Sequence, residues 1–353
     1  MISKMITAIL ILIKKFFLKK EPPVIQSYTA NTALQTIKQD WLGTPLDQYG
    51  LFVNHEYPNA ISLRAVVKFM LERNPQKQLK KTDTWRIAVN KNDDWLWDFS
   101  DKIVWLGHAS FFVQLAGIRI VIDPVFGNLP VGKRYSELPV EPDKLQNISY
   151  ILVSHAHYDH CDKESLKRLA TNNPQAQILV GLKLNELIAK WVDNPIQSAG
   201  WYQQYKLDDK LSITFLPSRH WANRSPFDTN TSLWGGFMIQ SKDKCIYYGG
   251  DSGYGSHFKA IGELFPKINV ALIGAGAYAP AWFMSPNHQD PYHAAKAFNE
   301  TGAKTFIPFH YGTFDSADEP MGEPEKILTT LDAEGKINNK LKLLKLGEPF
   351  ELK

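Results

Sequence analysis

The segment Ser154-His155-Ala156-His157-Tyr158-Asp159-His160 constrains this chain more than any other, because it sets four potential metal ligands within six residues after the strand-like run Ile148–Val153. On an extended backbone alternate side chains share a face, so His155 and His157 point to one side. A tightening turn can then bring Asp159 and His160 toward a second point close by. Any one of these histidines could be a hydrogen-bonded core residue, but packing gives no reason to crowd three imidazoles and a carboxylate. The pattern predicts one segment serving two metals.

The surrounding pattern predicts where such a loop would sit. From Lys102 onward, Ile103–Leu106, Phe111–Val113 and Ile118–Ile122 read as strands, the last two joined through Gly117. Strand-like runs at Ser212–Leu216, Cys245–Tyr248 and Asn269–Ile273 each lead into a polar loop, and Lys304–Phe309 leads straight into His310. Helices are predicted at Lys163–Ala170 and Leu182–Trp191. Another opens with Asp290 as N-cap and Pro291 at the first helical position and closes at Gly302. The interleaving predicts an α/β fold of two sheets covered by helices on their outer faces, with the chemistry at strand ends.

At 353 residues and 44% hydrophobic content the chain can build a sizeable core. Two cysteines, Cys161 and Cys245, allow neither a disulfide framework nor a thiolate zinc site of short spacing. The net charge of +4 is local: residues 1–20 carry Lys4, Lys14, Lys15, Lys19 and Lys20 with no acid, and the rest holds 35 basic against 36 acidic groups. Binding of nucleic acid needs a basic stripe on the folded domain, so no nucleic-acid partner is expected. The apolar run Met5–Ile13 is too short to span a bilayer, which takes about 20 residues. Followed by Lys14–Lys20, it reads as an uncleaved segment that associates with a membrane surface, with a signal peptide, or a disordered or core-packed N-terminal helix, as the alternatives. The expected division is residues 1–20 as this segment, 21–100 as a helical extension with patterns at Asn31–Trp41 and Ile61–Leu71, and 101–353 as the main domain.

His-x-His-x-Asp-His after such a strand is the signature of the metallo-β-lactamase superfamily, which this chain resembles. Further matches follow in order: Asp123 after Ile120-Val121-Ile122, His220 in Pro217-Ser218-Arg219-His220-Trp221, Asp251 in Gly249-Gly250-Asp251-Ser252-Gly253, and His310 in Pro308-Phe309-His310-Tyr311-Gly312. The resemblance implies an αββα sandwich of two mixed sheets and a binuclear centre. By it, His155, His157 and His220 hold one metal, Asp159, His160 and His310 the other, and Asp251 bridges them, while Asp123 orients the metal loop. Two zinc ions suit this donor set, although iron or manganese also accept it.

A closer likeness runs from Trp105-Leu106-Gly107-His108-Ala109-Ser110 to Phe314, through Gly132-Lys133-Arg134, Leu233-Trp234-Gly235-Gly236, Gly276-Ala277-Tyr278, Trp282-Phe283-Met284 and His310-Tyr311-Gly312-Thr313-Phe314. This stretch is similar to N-acyl-phosphatidylethanolamine-hydrolysing phospholipase D and its bacterial relatives. The resemblance implies a phosphodiester hydrolase acting on such phospholipids. Asp251, Asp159 and His288 are the expected catalytic groups, with His288 also touching substrate. Arg134 is expected to neutralise phosphoryl charge, and Tyr278 and Trp282 to line the substrate site. A lactone or carboxylic-ester hydrolase on the same metals is the alternative, and a non-enzymatic metal-dependent membrane protein would require a full ligand set to be idle. His108 either supports the metal loop or is a satisfied core histidine. His55, His257 and His293 are expected to make only local or surface contacts. If the membrane is a bacterial inner membrane, the charge following the apolar run predicts the enzyme on its cytoplasmic side, peripherally or by its N-terminal segment, with a soluble cytoplasmic protein as the alternative.

Overall fold

Two runs of buried, β-branched and aromatic residues organise the fold into two sheets. The computed structural model describes residues 23–57, 63–130, 132–207, 210–225 and 227–353, so the expected membrane-associating segment lies outside the described residues. In chain order the strands are β1 (Ile25–Thr29), β2 (Gln35–Thr36), β3 (Thr44–Asp47), β4 (Lys102–Gly107), β5 (Ser110–Leu115), β6 (Ile118–Ile122), β7 (Tyr150–Val153), β8 (Gln177–Gly181) and β9 (Ile196–Ala199). They continue as β10 (Gln203–Gln204), β11 (Ser212–Leu216), β12 (Gly236–Gln240), β13 (Cys245–Tyr248), β14 (Val270–Gly274), β15 (Thr305–Phe309), β16 (Lys340–Leu341) and β17 (Pro349–Glu351).

Besides a separate antiparallel pair of β1 and β3, one large sheet has the order β17-β4-β5-β6-β7-β8-β9 and the other β16-β15-β14-β13-β12-β11-β10-β2. Each is mixed. The run β6 to β9 is parallel and β17 to β6 antiparallel. Likewise β13 to β16 is parallel and the remainder of that sheet antiparallel. Parallel strands such as Tyr150-Ile151-Leu152-Val153 are apolar at every position because both of their faces are covered. Between the sheets Phe111 of β5 meets Phe309 of β15 edge-on, with ring centroids 5.6 Å apart, and Tyr248 of β13 stacks on Phe309 at 5.2 Å. The α/β sandwich expected from the sequence is therefore the observed architecture.

Local chemistry explains the best-matched elements. The β5–β6 hairpin turns through Ala116 and Gly117, both at positive φ, which gives the twist that a two-residue hairpin requires. Asp290 caps helix Pro291–Thr301 by accepting from His293 N at 2.8 Å, and Gly302 ends it in the left-handed region at φ 65°. On the outer face of the larger sheet this helix packs between His257–Leu264 and Glu323–Ala333. Helix Lys163–Asn172 buries Leu166, Leu169 and Ala170 beside the smaller sheet.

The structure corrects two helical expectations. Asn31–Trp41 contains the short strand β2 among turns: Asn31 Oδ1 accepts from Ala33 N, Asn31 Nδ2 donates to Ser198 O, and β2 pairs with β10. Its Leu34, Ile37 and Trp41 do pack on the core, so the three- and four-residue spacing records burial rather than helical turns. Leu182–Trp191 shortens to a helix at Asn185–Ile188, flanked by turns. Helix Leu63–Leu71 forms as expected. The described residues between 23 and 100 thus give strand, turn and helix rather than a helical extension. Among the described residues no helix is long and apolar enough to cross a membrane.

Candidate metal centre

The C-terminal ends of parallel strands from both sheets open at one edge, and the chemistry gathers there. Asp123 follows β6, His155 follows β7, Asp251 follows β13 and His310 follows β15, while His220 lies just beyond the antiparallel strand β11. After β7 the chain tightens, with Cys161 N donating to His157 O at 2.8 Å, and Asp162 then caps helix Lys163–Asn172 through Ser165 N. Each end of the histidine-rich loop is therefore tied to a regular element.

Two donor sets form. His155 Nε2 lies 2.9 Å from His157 Nδ1, which lies 3.1 Å from His220 Nε2. Nitrogens around a tetrahedral zinc would stand about 3.3 Å apart, given Zn–N distances of about 2.0–2.1 Å. In the second set His160 Nε2 is 3.4 Å from His310 Nε2, and Asp159 Oδ2 is 3.7 Å from His310 Nε2 and 4.0 Å from His160 Nε2. Asp251 Oδ2 faces both, at 3.1 Å from His160 Nε2 and His310 Nε2, 3.8 Å from His220 Nε2 and 4.0 Å from His155 Nε2. Its other oxygen, Oδ1, is buried without a hydrogen-bond partner. Convergent imidazole nitrogens and an unpaired buried carboxylate oxygen are what a cation would satisfy, so the residues fit a metal centre.

The electrostatics are consistent with that fit. Burial pushes His155 and His220 well below their ordinary value, and His157 down to about 4, leaving neutral rings with lone pairs to offer. Burial also opposes charge on His160 and His310, but Asp251 and Asp159 outweigh it, holding His160 well above the ordinary value and His310 at about 9. Where the carboxylates lie, protons now balance charge that a metal can balance instead.

A second layer of hydrogen bonds orients the donors. Asp123 Oδ2 accepts from His160 Nδ1 at 2.7 Å, Ser154 Oγ at 2.6 Å and Tyr248 Oη at 2.6 Å, while Oδ1 accepts from Ser154 N at 2.7 Å. His155 Nδ1 donates to Ser154 Oγ at 2.9 Å, so one carboxylate aligns two rings. His220 Nδ1 donates to Asn287 O at 3.0 Å, and Asn54 Nδ2 donates to His220 O at 2.8 Å. Two glycines are demanded by close approach. A Cβ on Gly250, at φ 60°, would strike Gly235 O, and one on Gly276 would strike His310 O.

A match to the family described as β-lactamase superfamily domain spans residues 118–311, from β6 to the residue after His310. The chain belongs to the β-lactamase superfamily. A Caenorhabditis elegans relative named N-acyl-phosphatidylethanolamine-hydrolyzing phospholipase D 1 is 33% identical over 243 residues, covering 65% of this chain and 67% of that protein. A Saccharomyces cerevisiae relative named as a mitochondrial enzyme of the same activity is 30% identical, covering 69% of this chain and 54% of its own length. A solved metallo hydrolase from the archaeon Ignicoccus hospitalis superposes with a TM-score of 0.54 at 25% identity, covering 72% of this chain and all of that one. The chain is a metal-dependent hydrolase of metallo-β-lactamase fold.

The remaining expected site residues fall into place unevenly around this superfamily centre. His288 is 17% exposed and sets Nδ1 3.8 Å from Asp251 Oδ2, beside the rings of His220 and His310. Trp282 is 40% exposed beside Phe283, which stacks on Phe69 at 4.5 Å, and Lys68 Nζ lies 4.0 Å over the Trp282 ring. Tyr278 turns its hydroxyl to Glu323, and its backbone N donates to Glu319. Arg134 departs from its expected role. Its guanidinium donates to Ser136 O, Val125 O and Leu106 O at 3.0–3.1 Å, a largely buried tie between loops rather than a free fork for phosphoryl oxygens. His257 meets Ser252 Oγ, His293 meets Asp290, and His55 packs on Trp41, all local contacts. Tyr248, Asn54 and Asn287 had no distinguishing signal in the sequence, since a strand tyrosine and loop asparagines look the same wherever they point.

Proposed function

We propose that the protein is a binuclear phosphodiesterase of phospholipase D type that acts on N-acyl-phosphatidylethanolamine-like phospholipids. The single observation supporting two metals is Asp251 Oδ2, within 4.0 Å of donors from both sets. His155, His157 and His220 would hold one ion, Asp159, His160 and His310 the other, and Asp251 both, with zinc the ion best suited. When bound, the pair would supply Lewis acidity toward a phosphoryl oxygen and lower the pKa of water. The lipid class rests on the names of the worm and yeast relatives.

The chain's own residues orient and hold substrate. Cleavage of this type breaks the P–O bond to the head group; the water oxygen goes to phosphorus and a proton to the departing alkoxide. His288, pushed by burial to about 4, is neutral at pH 7 and acts as an N–H donor to that leaving oxygen. Trp282, Phe283 and Phe69 supply an apolar wall beside it for acyl chains. Val67 and Leu71, exposed four residues apart on helix Leu63–Leu71, share a face and would meet a lipid surface, as would residues 1–20 on the cytoplasmic side.

The test presents vesicles containing N-acyl-phosphatidylethanolamine to metal-loaded full-length protein and reads products by mass spectrometry. Phosphatidate and N-acylethanolamine in equal amounts are expected. Cleavage of lactones or carboxylic esters with diesters left intact would overturn the assignment.

A further inference from the structure

We propose that His108 is a positioning residue: its Nε2–H holds the Asp159 carboxylate in the orientation that offers an oxygen to the second metal. The inference rests on the reading of Asp159 as a ligand.

His108 sits in the β4–β5 turn at φ 50°, a left-handed backbone that is uncommon outside glycine, histidine being among the few residues enriched there. Such a conformation persists where neighbours over-determine it. Here they do. His108 N donates to Thr313 Oγ1 at 2.8 Å, and His108 O accepts from Trp105 Nε1 at 2.8 Å and from His310 N at 3.2 Å. The ring lies 4.0 Å from that of His310 and meets Phe314 edge-on at 5.0 Å. Just before it, a Cβ on Gly107 would collide with the Arg134 guanidinium, so the buried arginine shapes this turn.

The result of this pinned turn is one contact: His108 Nε2 lies 3.0 Å from Asp159 Oδ2. Asp159 stands on a loop without ladder hydrogen bonds, and the imidazole nitrogens of His310 and His160 stand farther from its Oδ2, at 3.7 and 4.0 Å. An ionised carboxylate only accepts, so the shared hydrogen belongs to His108 Nε2. His108 Nδ1 is buried with no hydrogen-bond partner among the described residues to compete for the proton. Because the same residue's carbonyl receives His310 N, one turn of the smaller sheet sets two donors of the second set. Groups that orient ligands in this way typically affect metal affinity by about 10–100-fold.

Titration of the metal-free full-length protein with cobalt, followed by absorption, separates the two equivalents. His108→Asn suits the left-handed backbone but its shorter side chain stops short of Asp159. It should bind the first equivalent normally and the second about 10–100-fold more weakly. His108→Gln, long enough to donate an amide hydrogen, should recover most of the loss. Asp159→Asn should lose the second equivalent outright. If His108→Asn bound both equivalents as the parent does while Asp159→Asn lost one, His108 would have no positioning role. If Asp159→Asn kept both, the ligand reading and this inference would fall together. Should His108→Asn not fold, long-range nitrogen–proton NMR of the native protein decides: the Nε2–H tautomer is expected, and an Nδ1–H tautomer overturns the proposal.

Discussion

Tyr248 Oη, on the larger sheet, donates a 2.6 Å hydrogen bond to Asp123 Oδ2 at the end of β6 in the smaller sheet. That oxygen also receives His160 Nδ1 and Ser154 Oγ, so the phenol links the two halves of the sandwich at the carboxylate that orients the metal loop. Hydrogen bonds to a charged group contribute about 1.5–3 kcal/mol. Tyr248→Phe keeps the ring stacked on Phe309 and removes only the donor. Urea unfolding of the metal-free protein should show a loss of about 1.5–3 kcal/mol. An unchanged midpoint would mean that Ser154 and His160 satisfy Asp123 by themselves.

Asp251→Asn preserves shape but removes the charge that both donor sets face. Metal analysis of the parent should approach two ions per chain, and the variant should hold fewer, with turnover falling alongside. Full activity with a single ion, or a variant with two ions and normal turnover, would rule out Asp251 as the bridge.

His288→Ala should retain both ions and lose about 10²–10³-fold in turnover, the usual contribution of a hydrogen-bond donor aimed at charge that develops in the transition state. Loss of metal in this variant would instead make His288 a ligand, a role its 3.8 Å approach to Asp251 leaves geometrically open.

The pH dependence of the metal-free protein has two opposing arms. His157 and His288 are lowered to about 4, so the unfolded chain binds more protons than the native one below pH 6.5, and stability is lost as pH falls from there. His310 is raised to about 9 and His160 is raised as well, so their contribution is present below pH 6.5 and is lost as pH rises through 9. Stability after metal removal should therefore peak near pH 6.5 and decline on both sides, as read by denaturant midpoints. A steady rise beyond pH 9 would show that His310 and His160 are not held protonated.

Deleting residues 1–20 should leave a folded, metal-loaded enzyme that no longer sediments with anionic vesicles. The five lysines contribute about 1 kcal/mol each near an anionic surface, added to burial of Met5–Ile13 at the headgroup boundary. Activity on a short soluble diester should persist while activity on bilayers drops. If vesicle binding survived intact, the exposed Trp282, Val67 and Leu71 surface would be the attachment.

Local rules in the amino-acid sequence determined much of this protein. The buried strands, the Asp290 cap, the Gly302 stop and the ligand-bearing loop after β7 follow from period, capping and spacing within a few residues of each other. The histidine and aspartate side chains that gather at one edge of the sandwich were legible as well, because each follows or closes a strand-like run. Tertiary structure decided what depends on residues far apart in the chain. Asn31–Trp41 became strand and turn because β2 paired with β10 at the edge of the larger sheet, an energy that no local propensity contains. Arg134 reads as a free cation in sequence, yet three backbone carbonyls occupy its fork. The partners of these side chains are set by tertiary packing: Tyr248 reaches Asp123 across the two sheets, while Asn287 and Asn54 reach His220, and His108 reaches Asp159, from loops and turns distant in the chain, and a hydrogen bond of 2.6–3.0 Å exists only once both backbones are in place.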